Sequence, residues 1–288
     1  MKHKMEKAIK KSDVLIEALP FIKRFYDKAV VIKHGGSTLG DKKITRDILE
    51  DVVFMSYAGM KPVLVHGGGP KISEAMKKLG KKPHFVNGQR VTDRETVTIV
   101  DKALSEVNAG LVSEIKKIGG KAYGLRGRDS GVITAKKVKS SVDLGFVGEV
   151  SKIDTTLLER LLDANIIPVV SPVGRGRDGE LYNINADSSA AQVAGKLKAE
   201  KFFILTNVRG VLKNPKDPGT LFPALKTRDV KRLIKKDIIA GGMIPKVSAC
   251  LMALKGGVKK AHIVSAALPH ALLLEIFTRE GIGTEIVK

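Results

Sequence analysis

Two apolar runs end in glycine clusters able to hold an anion. They are Lys33-His34-Gly35-Gly36-Ser37 and His66-Gly67-Gly68-Gly69-Pro70. Glycine lets a backbone approach a ligand closely and turn its N–H groups toward it. A strand ending in glycines before a helix is a common anion-binding geometry. Neither cluster has the GxxxxGK(S/T) spacing of a P-loop or the GxGxxG spacing of a dinucleotide site. Tight turns also need glycine, but two such turns, one with a lysine just ahead of its glycine pair, favour anion binding.

Two further stretches bring charge. Asn183-Ile184-Asn185-Ala186-Asp187 opens the helical segment SSAAQVAGKL, where Asn and Asp suit either capping or a ligand. Gly241-Gly242-Met243-Ile244-Pro245-Lys246 opens another, with Lys246 in its first turn. A cation there opposes the helix dipole and calls for an anionic partner. A solvated surface lysine is the alternative reading.

The elements that must position these residues follow from the apolar pattern. AVVIK, PVLVH, KAYGL, NIIPVVSPVG (165–174), KFFILT and AHIVS are short runs rich in Val and Ile, separated by helical segments or glycines. Runs without polar alternation suit strands buried on both faces. Strands alternating with helices predict a parallel α/β sheet covered on both sides. Thr134–Val138 and LGFVGEV (144–150) predict a small antiparallel excursion. The polar segment 174–183 is the expected lobe boundary. Residues 1–28 read as a helical preamble, with Ser12 as its N-cap and Pro20 bending or splitting it. Its face of Val14, Leu15, Ala18, Leu19, Phe21, Ile22 and Phe25 either docks on its own domain or pairs with another subunit.

Composition narrows the function classes. The 288 residues carry 51 Lys and Arg against 30 Asp and Glu, a net charge of +21. Nucleic acid, a membrane surface and small anions would each suit that excess. The single Cys250 excludes a disulfide framework or a multi-cysteine metal site, and its apolar neighbours place it in a core. His66 reads as a structural hydrogen-bonder rather than a base. No apolar run reaches the roughly 18 residues of a membrane span and no secretory signal opens the chain, so a cytoplasmic location is expected. Aromatic residues are few and no nucleic-acid module is visible.

VHGGGPKI, VNGQRVTD (86–93), DLGFVGEV (143–150), YNINAD (182–187), ILTNVRGVL (204–212) and GGMIPKV (241–247) occur in this order and spacing. Together they resemble the N-acetylglutamate kinases of the amino acid kinase superfamily, over residues 29 to 288. The resemblance implies a three-layer αβα sandwich with a mainly parallel central sheet. It implies an amino-acid-substrate and dimerisation lobe over 29–175 and a nucleotide lobe with a regulatory tail over 176–288. It implies transfer of a phosphoryl group from ATP to the side-chain carboxylate of N-acetyl-L-glutamate, in arginine biosynthesis.

By the same resemblance, Lys33 and Lys246 stabilise the moving phosphoryl group and Asp187 holds those lysines. Gly35, Gly36 and Gly67 bind phosphate. Gly68, Gly69, Arg90, Asn183 and Asn185 bind the amino-acid substrate, Arg90 by clamping its α-carboxylate. Thr206, Asn207, Val208, Arg209, Gly210, Val211, Leu212 and Lys213, with Ile238, Ile239, Ala240 and Gly241, fall where the family binds ATP. Mg2+ is expected to be held by ATP phosphates and water, with no protein metal cage. Residues 1–28 look like the interlacing helix of arginine-inhibited hexamers built as trimers of dimers. His270, Glu275, Gly281 and Gly283 then fall near a regulatory L-arginine site.

Several positions depart from the family pattern: Ser37, Gln89, Asn207, and the turn Leu125-Arg126-Gly127-Arg128-Asp129. A sister kinase acting on carrier-linked aminoadipate or glutamate is the nearest alternative, and a basic nucleic-acid-binding protein a remote one. N-acetylglutamate synthase shares the kinase-like domain but adds an acyltransferase domain, for which this chain has no expected room.

Overall fold

The computed structural model describes residues 2–36, 38–127, 131–278 and 281–288. Ser37, Arg128 and Asp129 lie outside the described residues. In chain order the elements are α1 (Lys2–Phe25), β1 (Ala29–His34), α2 (Lys42–Tyr57), β2 (Lys61–His66), α3 (Gly69–Lys78), β3 (Phe85–Val86), β4 (Gln89–Arg90) and α4 (Arg94–Lys117). Then come β5 (Ala122–Leu125), β6 (Ile133–Lys137), β7 (Val147–Ile153), α5 (Thr156–Asp163), β8 (Ile167–Val170), β9 (Val173–Gly176), β10 (Leu181–Ile184) and α6 (Ala186–Lys196). The chain ends with β11 (Lys201–Thr206), β12 (Ala224–Lys226), α7 (Thr227–Lys235), α8 (Met243–Lys255), β13 (Lys260–Ser265), α9 (Ala271–Phe277) and β14 (Thr284–Val287).

One eight-stranded sheet runs β12-β14-β13-β11-β1-β2-β8-β5. All its pairings are parallel except β13 with β14. Strand periodicity explains the layers, since neighbouring side chains point to opposite faces. Val31, Val63, Val65, Phe202 and Ile204 pack on one face with Leu158 of α5, Ala190 of α6 and Val247 of α8. Val30, Ile32, Leu64, Phe203 and Leu205 pack on the other with Leu49 of α2, Leu111 of α4 and Leu272 of α9. This is the three-layer αβα sandwich, with fully buried central strands.

The predicted excursion forms, but as part of a closed four-stranded barrel, β10-β7-β6-β9, with β6 and β7 antiparallel. The run 165–174 is therefore two strands. β8 stays in the main sheet, and β9 leaves it for the barrel after Ser171-Pro172. One expectation for the preamble fails. Helix α1 begins at Lys2, so Ser12 lies mid-helix and is not its N-cap, and the helix continues through Pro20 without being split. Pro20 lies on an exposed side of α1, away from the packing of Phe21 and Phe25 on the main fold. Among the described residues no helix is long and apolar enough to cross a membrane.

Candidate active site

Register brings the two glycine clusters together. β1 and β2 pair so that His34 lies opposite His66, and β1 pairs with β11 so that His34 lies opposite Leu205. The carboxyl ends of these parallel strands are the usual ligand crevice of an open α/β sheet. Gly67 donates its N–H to His34 O at 2.9 Å. A Cβ on Gly36 would stand 3.0 Å from Gly69 N, and one on Gly67 would stand 3.0 Å from Gly36 N. The close approach of these loops requires glycine on both sides. Gly68, which precedes α3, makes no side-chain cap, so the first N–H groups of that helix remain available at the cleft.

The cleft is lined by Lys33, Gly35, Gly36, Gly67, Gly68, Gly69, Arg90, Asn183, Asn185, Thr206, Asn207 and Lys246, among others. No acidic side chain of the described residues lines it. Asp187 sits just behind the wall and holds both lysines. Its Oδ1 is 2.7 Å from Lys33 Nζ and its Oδ2 is 3.8 Å from Lys246 Nζ. The Lys33 contact is an ion pair off the hydrogen-bonding directions of Oδ1. The capping question resolves between the two candidates. Asn185 is the N-cap of α6 and accepts from Ser188 N at 3.1 Å, which leaves Asp187 free for the lysines.

Arg90 is only 7% exposed, and burial lowers its tendency to stay charged. It donates to Gly69 O at 3.1 Å and Ser73 Oγ at 2.9 Å, and its guanidinium lies 4.7 Å from the Phe85 ring centre. No acidic side chain of the described residues pairs with it. A buried cation without a counter-charge is costly, so the cleft is built for an anion.

The two histidines that end β1 and β2 are neutral and only weakly basic. Burial lowers His34 to about 3 and His66 to about 4. His66 Nδ1–H donates to Gly67 O at 2.9 Å, and Nε2 accepts from Asn108 Nδ2 at 3.1 Å. Asn108 spends its other N–H on Val169 O at 2.8 Å, so its oxygen faces away and the neutral tautomer of His66 is fixed. Cys250 is fully buried, and burial pushes its thiol up, as a core residue requires.

A pocket next to the cleft is lined by Thr206, Asn207, Val208, Gly210, Val211, Leu212, Lys213, Ile238, Ala240 and Lys246. Three expected residues are missing from its wall. Arg209 is exposed, Ile239 is buried in the core, and Gly241 turns the chain at φ 52° without lining the pocket. Pro215, Asp237, Gly242 and Met243 line it instead. Only the glycine pair before Met243 was a signal for any of these.

Another pocket lies between α1, β11 and the C-terminal tail. It is lined by Arg24, Phe25, Lys201, Lys260, Glu275, Gly281 and Glu285. Lys201 Nζ donates to His262 Nε2 at 3.2 Å, and His262 Nδ1–H donates to Glu275 Oε1 at 2.8 Å. Burial lowers His262 and brings Lys201 down to about 8. Burial is the largest single influence on Glu275 and pushes it up, but the bond and charge of His262, the Ile282 N–H and the Lys201 charge together outweigh it and hold the carboxyl below its ordinary value. Gly283 N–H donates to Glu275 Oε2 at 3.3 Å from behind the wall. His270, expected here, is elsewhere. It bonds Asp51 at 2.7 Å, while His262 is fully buried behind the wall and bonds Glu275. His262 was legible only as a polar residue inside an apolar strand.

The chain matches the family described as "Amino acid kinase family" over residues 28–265. It is 47% identical to the acetylglutamate kinase of Heliobacterium modesticaldum, over 99% of this chain and 100% of that relative. It is 48% identical to that of Methanocaldococcus jannaschii, over 99% of this chain and 98% of that one. Among solved structures it is similar to N-acetylglutamate synthase from Neisseria gonorrhoeae. The complex with coenzyme A and N-acetyl-glutamate gives a TM-score of 0.85 at 28% identity, over 96% of this chain and 63% of that longer one. The complex with coenzyme A and L-arginine gives 0.82 at 26%, over 96% and 65%.

Proposed function

The chain belongs to the amino acid kinase family, and we propose that the glycine-lined cleft at the ends of β1, β2 and β11 is its phosphoryl-transfer centre. The enzyme phosphorylates the side-chain carboxylate of N-acetyl-L-glutamate with ATP and Mg2+, giving N-acetyl-L-glutamyl 5-phosphate, the second step of arginine biosynthesis. A carboxylate nucleophile is already ionised at neutral pH, so the buried, neutral histidines are no obstacle. The reaction needs alignment and neutralisation of charge on the moving group. Lys33 and Lys246 supply cations, Asp187 holds them in place, and the backbone N–H groups of Gly35, Gly36, Gly67, Gly68 and Gly69 face the anions. Arg90 clamps the α-carboxylate, with Asn183 beside it. Asn185 spends its side-chain oxygen as a cap, so its share in substrate binding falls to its amide N–H.

The metal fits this donor set only as a companion of the nucleotide. Among the described residues no group of three His, Cys, Asp or Glu side chains could hold a metal ion. Asp187, behind the wall, is already shared by two lysines. Mg2+ bound to the phosphates and water adds charge neutralisation there. The observation that carries the reading is the buried, unpaired Arg90 facing the same cleft as two lysines fixed by one carboxylate. ADP release coupled to a dye readout tests it, with N-acetylglutamate and N-acetylaminoadipate compared. Turnover with N-acetylglutamate is expected, and its absence at millimolar substrate overturns the reading.

We further propose that residues 29–175 form the amino-acid lobe and 176–288 the nucleotide lobe, with the pocket beside Thr206–Lys213 taking ATP. L-Arginine as an inhibitor fits the pocket of Lys201, Glu275 and Glu285, where acids can meet a guanidinium and cations a carboxylate. The arginine complex of the similar synthase supports that reading. Exposed Ile9, Val14, Leu15 and Ile16 on α1 support a hexamer interlaced through this helix. The cytoplasm is the compartment that suits this enzyme.

A further inference from the structure

We infer that Thr92 is a positioning residue whose hydroxyl fixes the orientation of the Asn183 amide toward the amino-acid substrate. The inference rests on the reading of Arg90 and Asn183 as substrate ligands. Thr92 follows β4 and is fully buried. Its hydroxyl donates to Arg90 O at 2.7 Å. A hydroxyl has one proton, so toward any other neighbour this oxygen can only accept. That neighbour is the Asn183 side chain, whose Nδ2 lies 3.3 Å away. Only the nitrogen end of the amide can face Thr92. Oδ1 and the second N–H of Asn183 are then left for a ligand in the cleft that this residue lines. An N-acylated amino acid carries an N–H donor and a carboxylate acceptor side by side, which match that pair.

The hydroxyl is itself held still. Thr92 N–H donates to Leu144 O at 3.0 Å, and Phe146 N–H donates back to Thr92 O at 2.6 Å. Between them Gly145 has φ 70°, and a Cβ there would stand 2.2 Å from Thr92 O. Phe146 O in turn accepts from the backbone N–H of Asn183 at 2.9 Å. One short stitch therefore ties Arg90 in β4 to Asn183 in β10, and Thr92 sits at its centre.

Thr92→Val keeps the volume and removes the hydroxyl. We expect KM for N-acetylglutamate to rise about five- to tenfold, the size of one net hydrogen bond. We expect kcat to stay within about twofold and KM for ATP to stay unchanged. Thr92→Ser, which restores the hydroxyl, is expected to stay near the parent enzyme in all three. A merely structural role would move the melting temperature without this split between substrates. Equal behaviour of the Val and Ser variants, or an unmoved KM for N-acetylglutamate in Thr92→Val, overturns the inference. Adding Thr92→Val to Asn183→Ala should raise KM no further, and a further rise of the same size shows that Thr92 does not act through Asn183. If Asn183→Ala alone leaves KM unchanged, the substrate role of Asn183 fails first and the inference falls with it. Thr92→Ala carries the same expectation should the valine variant fail to fold.

Discussion

Asp187 reaches two lysines because Asn185, two residues earlier, takes the helix cap. Lys246 enters from the first turn of α8, where the dipole opposes it and the carboxylate offsets that cost. Its charge is most useful when negative charge builds on the moving phosphoryl group. Lys246→Ala should therefore lower kcat about 100- to 1000-fold, the loss typical of one electrostatic stabiliser. KM for ATP should change by less than about threefold. Steady-state kinetics decides, and an unchanged kcat would remove Lys246 from the centre. At this scale the sequence was most legible where a residue type is chemically unusual for its place, as with Lys246 and the paired glycine clusters. It was least legible where two residues of one type compete. His262 and His270 both lie near the tail, and only the fold shows that the first bonds Glu275 and the second Asp51. Asn185 and Asp187 both suit a cap, and only their relative positions on the helix separate them.

At the scale of elements, α9 is anchored in an unusual way. Its N-cap, His270, adopts a left-handed conformation at φ 53° and makes no side-chain cap. Asp51, buried in α2, does the capping instead. Its Oδ2 accepts from Leu272 N at 3.1 Å while Oδ1 takes His270 Nδ1 at 2.7 Å. Burial raises Asp51 to about 6, against the opposing pull of His270. The Asp51 bond raises His270 above its ordinary value of 6.5. A histidine raised in the folded state contributes stability below 6.5, and that contribution fades as pH rises through the folded value. His270→Ala should then cost more at pH 6 than at pH 8.5. The difference should stay under about 1 kcal/mol, because the ring is half exposed and solvent screens it. Urea unfolding at the two pH values measures it, and an equal cost at both would show that the charge adds nothing. The strands at the sheet centre were readable because burial on both faces leaves unbroken Val and Ile runs. The split of 165–174 was not, since one apolar run serves equally well as one strand or as two that part company. Strand β14, antiparallel to β13 and one place in from the edge strand β12, was hidden for a related reason: the four residues TEIV are too short to show a period.

For the whole molecule, the +21 divides into a few committed cations and a surface excess. Lys33, Arg90 and Lys246 belong to the cleft, and Lys201 to the tail pocket. The segment 196–236, with twelve Lys and Arg against Glu200, Asp217 and Asp229, lies on the proposed nucleotide side. Composition alone could not sort these groups, because the sorting depends on which cations are buried. Helix α1 is the other global feature. It packs on the body through Phe21 and Phe25 and leaves Met5, Ile9, Val14, Leu15 and Ile16 exposed. By helical spacing Met5, Ile9 and Ile16 share one side of α1, and an exposed apolar side of this kind marks an interaction site. On the proposed hexamer and arginine site, deleting residues 1–26 should leave dimers and blunt inhibition by arginine, read by light scattering after size exclusion and by inhibition curves. A hexamer that survives the deletion would rule out interlacing through α1.

The placement of β11 has a practical consequence. Lys201 in the tail pocket and Thr206 in the cleft are the two ends of one six-residue strand. At about 3.3 Å per residue they stand roughly 17 Å apart. The strand is hydrogen-bonded along its length to β1 on one side and β13 on the other. A carbon-13 label on the carbonyl of each residue from Lys201 to Thr206 would thus form an infrared ruler. One end would report the tail pocket and the other the cleft, and the carbonyls between them would record whether a ligand at one end is felt at the other.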